Sequence, residues 1–168
     1  MTRRHIHYEA AFEDYLRSQG IPYIAVDEQR KVIFAGSTVK SFDFLVYRDS
    51  RRRWIVDVKG RQYPYVTRSS RRYWENWITQ SDLDGLANWQ EVFGEGFEAM
   101  LVFAYWLTQE DERVPPVYIH SCGDRRYAFL CVALADYRRH CRPRSRRWGT
   151  VTLPVATFRQ VAWPIQRL

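Results

Sequence analysis

Two acids and a lysine interrupt a pair of apolar segments that otherwise have the composition of buried strands. The segments are 41–47, SFDFLVY, and 54–60, WIVDVKG, and their charged residues are Asp43, Asp57 and Lys59. Side chains two positions apart in a strand point to the same face, so Asp57 and Lys59 share one face and apolar residues fill the other. Burying such charges costs several kcal/mol each unless they are paired or bind a metal. The pattern therefore indicates a metal-binding or catalytic site.

These residues resemble the signature of the PD-(D/E)XK nuclease superfamily, which includes the restriction-endonuclease-like and Holliday-junction-resolvase-like enzymes. In that superfamily a first acid ends one strand, and a (D/E)-x-K triplet lies on the hairpin partner. Here Asp43 would be the first acid and Asp57-Val58-Lys59 the triplet. Phe42 replaces the usual proline, which carries no chemistry. The resemblance implies an α/β fold, with a restriction-endonuclease-like αβββαβ core whose central mixed sheet is flanked by helices.

The resemblance also implies metal-dependent hydrolysis of phosphodiester bonds. Asp43 and Asp57 would bind Mg²⁺ or Mn²⁺, because magnesium prefers oxygen ligands and usually takes one or two carboxylates. The Val58 carbonyl would add a third ligand. The metal would lower the pKa of a water molecule and neutralise charge on the phosphate. Lys59 would orient the attacking water or stabilise the charged phosphorus centre, for which arginine is not an equivalent replacement.

Glu9 is a further candidate, on a predicted first helix. With about 100° per residue, a helical wheel places Glu9 beside Leu16 at the edge of the apolar stripe, whereas Glu13 turns toward solvent. An acid from the first helix commonly completes the metal site in resolvase-like members of the superfamily. The resemblance therefore implies that Glu9 acts as a metal ligand and catalytic residue. The alternative is a first-turn acid favoured by the helix dipole.

Each charged residue on the hairpin also has a purely structural interpretation. Asp57 and Lys59 would form a same-face ion pair, and Asp43 would pair with the arginines at 51–53. These interpretations are the simpler ones for each residue taken singly. The occurrence of all three residues on two adjacent apolar strands favours a functional site.

Hydrophobic periodicity predicts the elements that must position these residues. The predicted order is a helix over 7–18, strands over 22–26 and 31–34, the two hairpin strands, a loop over 61–79, a helix from an N-cap at Ser81 to Gly94, strands over 97–108, 117–120 and 127–132, a basic helix over 133–141, a last strand over 149–153 and an extended tail. We expect one domain, with a nuclease-like core at about 5–110 and a C-terminal β/α extension at 111–168.

Basic residues predict a polyanionic partner, since the net charge of the 168-residue chain is +7. Residues 48–72 hold nine Arg or Lys against two acids, residues 138–147 hold six arginines and no acid, and residues 75–98 hold six acids and no base. We expect DNA contacts from the block nearest the acids, with a solvated surface as the alternative. The predicted contacts are Arg51, Arg52, Arg53, Arg61, Arg68, Arg71 and Arg72.

The cysteine count and the apolar stretches favour a cytoplasmic location. The three cysteines are an odd number without CxxC spacing, which suits a reducing compartment. Residues 1–5 lack the apolar region of a secretory signal. The longest apolar stretch, 97–107, is too short to span a bilayer and contains Glu98, so no membrane partner is expected.

The sequence therefore predicts a Mg²⁺- or Mn²⁺-dependent DNA endonuclease. Because no separate specificity domain is evident, we expect structure-selective rather than sequence-specific cutting. A homodimer is compatible with the resemblance, since cleavage of both strands by this superfamily usually needs one. One alternative is a non-catalytic nucleic-acid-binding module that retains the nuclease fold. Another is a small-molecule enzyme or a partner-binding domain of α/β class.

Overall fold

The computed structural model describes residues 6–26, 32–34, 37–64, 74–109 and 117–165. Within these residues the helices are α1 (Ile6–Ser18), α2 (Gln80–Phe93), α3 (Leu134–His140) and α4 (Val155–Val161). The strands are β1 (Tyr23–Ala25), β2 (Val32–Phe34), β3 (Ser37–Val39), β4 (Phe44–Tyr47), β5 (Arg53–Tyr63), β6 (Ile78–Thr79), β7 (Phe97–Leu107), β8 (Ile119–Cys122), β9 (Arg125–Ala133), β10 (Arg142–Ser145), β11 (Thr150–Thr152) and β12 (Trp163–Pro164).

A central mixed sheet organises the molecule. Its strand order is β1-β4-β5-β7-β9-β12, and β8 pairs with a different stretch of β9 from the one that pairs with β12. Strands β5 and β7 run parallel over 11 paired residues, and the other pairs in this sheet are antiparallel. Helix α2 lies between β5 and β7 in the chain, as parallel strands require a crossover connection. The predicted α/β class with a central mixed sheet flanked by helices is confirmed.

Apolar side chains cover both faces of this sheet. On one face α1 packs through Ala11, Phe12 and Leu16, which are fully buried. On the other face α2, α3 and α4 pack through a second cluster that includes Leu86 and Phe158. The layers are therefore helix, sheet and helix, which places β5 and β7 at the centre of the core.

The start of α2 differs from the prediction. Thr79, rather than Ser81, is the N-cap, and its hydroxyl accepts a hydrogen bond from the Asp82 N–H at 3.1 Å. The Asp82 carboxylate in turn accepts the Thr79 N–H at 3.4 Å, which completes a capping box. The helix ends at Gly94, as predicted, with a positive φ of 73°.

The segments after residue 60 also differ from the predictions. Strand β5 continues to Tyr63, so the predicted loop over 61–79 begins later, and its residues 65–73 lie outside the described residues. The predicted extended tail contains α4 and β12, and β12 pairs with β9 at the edge of the central sheet. Strand β10 is an addition that pairs with β11, and β11 pairs with β6. No helix among the described residues is long and apolar enough to cross a membrane.

Candidate active site

A pocket of about 380 Å³ opens beside the middle of β5. Residues from α1, β5, the approach to β4 and the start of α2 contribute to it. The lining residues are Glu9, Lys40, Asp43, Asp57, Val58, Lys59, Gly60, Arg61, Trp77, Ile78, Thr79 and Asp82. The structure thus brings together the four predicted catalytic residues, which lie up to 50 positions apart in the chain.

Asp43 is fixed by the backbone of its neighbours. Its N–H donates to the Val56 carbonyl at 2.9 Å, and its carbonyl accepts the Val26 N–H at 2.9 Å. Its carboxylate Oδ2 accepts the Val58 N–H at 2.6 Å, so the side chain continues the hydrogen-bond ladder between the hairpin strands. A buried carboxylate held in this way has little freedom to turn away from the pocket.

Asp57 projects from β5 toward α2, on the face predicted from the strand pattern. Burial raises the pKa of its carboxyl group, and the charge of Asp82 adds to that effect. The Lys59 ammonium opposes the rise, as does a hydrogen bond with the Asp43 side chain. The Lys59 Nζ lies 2.9 Å from the Asp57 Oδ2. The predicted same-face pair is therefore present inside the pocket.

Lys59 bridges two carboxylates. Its Nζ lies 2.9 Å from Asp57 and 3.2 Å from the Asp82 Oδ2, and the side chain is 19% exposed. Burial alone would lower the pKa of the ammonium, but the charges of Asp57 and Asp82 outweigh burial and raise the pKa. Lys59 therefore stays a cation across the physiological pH range.

Asp82 is a site residue that sequence reasoning missed. Burial would raise the pKa of its carboxyl group, but Lys59, Lys40 and the Thr79 side chain together lower that pKa to about 2. The Lys40 Nζ lies 2.6 Å from the Asp82 Oδ1. The Thr-x-x-Asp pattern at 79–82 was the available signal, since it predicts a helix start at which the acid bonds back to the N-cap backbone.

Glu9 reaches the pocket because α1 approaches β5 closely at Gly60. A Cβ atom at position 60 would lie 2.1 Å from the ring of Tyr8, so only glycine accepts the helix at this distance. Glu9 follows Tyr8 in α1, is half-buried and lines the pocket with Asp43 and Asp57. The structure supports its predicted placement, and its role as a ligand stays a prediction.

The donor set fits an oxygen-preferring divalent cation. Asp43 and Asp57 both line the pocket, and interaction with the Asp43 side chain lowers the pKa of the Asp57 carboxyl group. Among the described residues no set of three or more acidic, histidine or cysteine side chains comes together as a metal cluster. Two carboxylates with water and substrate oxygens are nevertheless a sufficient set for Mg²⁺.

Arg61 is half-buried in β5 rather than exposed in a loop. Its guanidinium donates to the Gly60 carbonyl at 2.7 Å and to the Trp77 carbonyl, and its Cζ lies 4.1 Å from the Trp77 ring centroid. Burial lowers the pKa of Arg61, although nearby Tyr105 and Glu75 oppose that change. Arg61 would contact DNA from the wall of the pocket, and this contact stays a prediction.

Three of the other predicted DNA contacts, Arg51, Arg52 and Arg53, do not line the pocket. Arg51 and Arg52 are exposed in the turn before β5, and Arg53 lies over the rings of Tyr47 and Phe97. A strand rises about 3.3 Å per residue, so Arg53 starts β5 about 13 Å before Asp57. The DNA contacts of these three arginines stay a prediction, made from outside the pocket. Arg68, Arg71 and Arg72 lie outside the described residues.

Comparison with solved structures bears on the fold. The chain is similar to Hjc, a Holliday junction resolvase from the archaeal hyperthermophile Archaeoglobus fulgidus, with a TM-score of 0.56 and 12% sequence identity. The similarity covers 98% of this chain and 94% of the Hjc chain. The fold is resolvase-like. No protein-family model matches the chain, and no curated protein matches it in sequence.

On this resolvase-like fold, the pocket combines three chemical capacities. Asp43 and Asp57 supply carboxylate oxygens for a cation, and Lys59 supplies a fixed positive charge. Asp82 is a second carboxylate in contact with Lys59. Such an arrangement can bind an anionic group through a cation and place an ammonium next to it.

Proposed function

We propose that this protein is a Mg²⁺- or Mn²⁺-dependent DNA endonuclease that hydrolyses phosphodiester bonds and selects DNA by its structure. The observation that carries the proposal is the convergence of Asp43, Asp57 and Lys59 in one pocket of a resolvase-like fold. These three residues match the PD-(D/E)XK pattern in type and order, with Asp43 directly before β4 and with Asp57 and Lys59 on β5.

Asp43 and Asp57 would hold the metal, with Glu9 and the Val58 carbonyl as additional oxygen donors of the same pocket. When bound, the metal would supply a water of lowered pKa and positive charge for the phosphate oxygens. Asp43 is pre-positioned for binding by the Val58 N–H. The raised pKa of Asp57 reflects a buried negative charge that a cation would stabilise.

Lys59 would hold the attacking water and stabilise the negative charge that develops on the phosphate. Its raised pKa keeps the proton on the ammonium, so Lys59 acts as a hydrogen-bond donor and not as a base. Its contacts with Asp57 and Asp82 restrict the Nζ to the pocket wall. A pre-positioned charge of this kind avoids reorganisation during the reaction.

The similarity to Hjc and the single pocket of each chain guide the choice of DNA substrate. Hjc is named as a Holliday junction resolvase, which makes branched DNA the first substrate to test. Each chain carries one such pocket among its described residues, so symmetric cutting of two strands would require a homodimer.

The test is cleavage of labelled linear duplex, single-stranded and four-way-junction DNA with Mg²⁺ or Mn²⁺, beside Asp57→Asn. We expect cutting that needs both the metal and Asp57, with the junction cut fastest. The isosteric Asn keeps the volume of the side chain but loses its charge, so the fold is retained. Equal inertness of the wild-type protein on all three DNA forms with either metal would rule out the nuclease.

A second candidate function is a DNA-binding module without catalysis. It is favoured by the chain of ion pairs from Asp57 through Lys59 and Asp82 to Lys40, which balances charges in the pocket without a metal. Calorimetric titration with Mg²⁺ or Mn²⁺ separates the two functions. Metal binding that disappears in Asp57→Asn supports the nuclease, and absence of metal binding with retained DNA affinity supports the module.

A further inference from the structure

The positive charge of this protein is concentrated in its last 32 residues. Residues 137–168 contain eight arginines and no Asp or Glu, so this segment carries a charge of +8. Because the whole chain has a net charge of +7, residues 1–136 together carry −1. The attraction of the protein for a polyanion therefore depends on where the fold places this C-terminal segment.

The fold places part of it at the rim of the pocket. Residues 142–152 form a hairpin of β10 and β11, here called the arginine hairpin. Strand β11 pairs with β6 through Thr150↔Thr79 and Val151↔Ile78, and both residues of β6 line the pocket. The first residue of α2, Gln80, donates its N–H to the Gly149 carbonyl at 2.8 Å. The hairpin is therefore attached to the same backbone that carries Asp82.

Trp77 connects the hairpin to the interior of the pocket. The Arg61 Cζ lies 4.1 Å from the Trp77 ring centroid, and the Arg144 Cζ lies 5.1 Å from it. Cation–π contacts to a tryptophan hold both guanidinium groups in place. A line of positive charge thus runs from Arg61 in the pocket wall to Arg144 on the hairpin.

The tip of the hairpin presents unpaired charge and an exposed ring. Arg146 and Arg147 are exposed and form no ion pair with a described residue. Trp148 is 69% exposed, the largest value among the exposed large apolar side chains of the described residues, and the Arg147 Cζ lies 5.3 Å from its ring centroid. A tryptophan this exposed, with an arginine against its ring, suits base stacking beside phosphate contacts.

We propose that the arginine hairpin is the DNA-binding arm of this protein. Arg142, Arg144, Arg146 and Arg147 hold the phosphates of the strand that leaves the pocket. Trp148 stacks on a base that is exposed where the duplex is opened or branched. The identity of the polyanion as DNA rests on the proposed function. The hairpin, and not the turn at 51–53, then supplies the main electrostatic contact.

The experiment measures DNA affinity by fluorescence anisotropy in an Asp57→Asn background, so that no cleavage interferes. The probes are a labelled four-way junction and a labelled linear duplex, each at several salt concentrations. For Arg146→Gln/Arg147→Gln we expect at least about a tenfold loss of affinity on both probes. We also expect the slope of log K against log salt to fall by about 1.8, since each phosphate contact contributes about 0.9.

Trp148→Ala should act differently from the arginine variant. We expect about a tenfold loss of affinity for the junction, a smaller loss for the duplex and an unchanged salt slope, since stacking on a base involves no counterion release. A loss of the same size on both probes would overturn the stacking role of Trp148.

The matched control is Arg48→Gln/Arg159→Gln. Arg48 and Arg159 are exposed, line a separate pocket with Trp163 and carry the same total charge as the tip arginines. We expect this control to keep the salt slope. The hairpin is not the DNA-binding arm if the control weakens DNA binding as much as Arg146→Gln/Arg147→Gln does, or if that hairpin variant binds DNA like the parent protein. The exposed residues of the hairpin would then form a surface for another partner.

Two further measurements keep this test separate from the nuclease proposal. Arg146→Lys/Arg147→Lys retains both charges and should keep most of the affinity, whereas a misfolded hairpin would lose it. Wild-type cleavage is scored independently of binding. If the wild-type protein binds DNA through the hairpin but never cuts it, only the nuclease proposal is contradicted. If the hairpin variant binds and cuts DNA as the wild-type protein does, only the proposal of a DNA-binding hairpin is contradicted.

Discussion

The two faces of β5 carry opposite chemistry on one strand. Toward α1 the strand presents Trp54, Val56 and Val58, all buried in one apolar cluster. Toward α2 it presents Asp57 and Lys59, followed by an arginine on the same face. The period of two in side-chain direction allows this separation, because alternate residues never share a face.

The contrast between the two faces of β5 explains how this fold supports a charged pocket. The apolar face gains free energy by burial alone, at roughly 25 cal/mol per Å² of apolar surface. The polar face is stable only as a network of ion pairs, because the buried charge of Asp57 is balanced by Lys59, and the charge of Lys59 is balanced by Asp57 and Asp82 together. We therefore expect substitutions on the apolar face to change stability alone, and substitutions in the polar network to change chemistry and, to a smaller extent, stability.

Lys59→Ala should have the largest effect on the polar face. Under the proposed function, loss of the buried ammonium removes a charge that stabilises the reacting phosphate, so single-turnover cleavage should fall by about 10³-fold. Lys59→Arg should not restore the rate, because a planar guanidinium does not match a point charge held between two carboxylates. Normal cutting by Lys59→Ala, at any salt concentration, would remove Lys59 from the mechanism.

Gly60→Ala should have the largest effect on the apolar face. The new Cβ would meet the Tyr8 ring at 2.1 Å, so α1 must shift and the free energy of unfolding should fall by about 2–3 kcal/mol. Urea unfolding of Gly60→Ala, Tyr8→Ala and the double variant measures the coupling. In the Tyr8→Ala background the extra methyl should cost almost nothing. Strictly additive losses in the double variant would show that the Tyr8 contact is not the cause.

Asp82→Asn tests whether the polar network also stabilises the fold. The pKa of Asp82 is lowered to about 2 from its ordinary value of 3.8, so its charged form stabilises the folded state above that ordinary value. This contribution is lost as the pH falls from about 4 through about 2. At neutral pH we expect the substitution to lower the free energy of unfolding by about 1–2 kcal/mol, after discounting for partial exposure.

The matched control for Asp82→Asn is Asp84→Asn, an exposed position on the same helix that bonds to the Gln80 amide at 3.0 Å. Unfolding of both variants is measured at neutral pH and near pH 3. The deficit of Asp82→Asn should shrink on acidification, while Asp84→Asn should resemble the wild-type protein throughout. A deficit that does not change with pH would mean that the helix cap, and not the charge, carries the effect.

Local patterns were sufficient to predict α1 and β5, which carry Glu9, Asp57 and Lys59. The period-two alternation of residues 54–60 predicts that Asp57 and Lys59 share a face, and the stripe of α1 predicts which side of the helix is buried. Glu9 follows from that stripe, because it lies at its edge. Such features depend on residues within one element, and the sequence contains all of them.

The missed features depend on contacts between distant segments. Asp82 meets Lys59 only because α2 crosses over between the parallel strands β5 and β7, so the ends of two elements come together. Residues 51–53 are close to Asp57 in sequence, but they lie at the start of β5. Because the strand between them is extended, the arginines and Asp57 are well separated in space. Strand β12 has only two residues, and it forms because β9 offers a free edge. No local period predicts a strand of that length.

Glu9→Gln should have the smallest effect, because α1 is the most remote contributor to the polar face. Under the proposed function, a third carboxylate raises the local affinity for a divalent cation without being essential. We expect the Mg²⁺ concentration for half-maximal cleavage to rise about fivefold, or about 1 kcal/mol, with little change in the rate at saturating metal. The matched control is Glu13→Gln, one turn further along α1, where the carboxylate bonds to Arg17 and Tyr23 instead. If the two variants have the same metal dependence, Glu9 is a helix-terminal acid and the polar face of β5 binds its cation without help from α1.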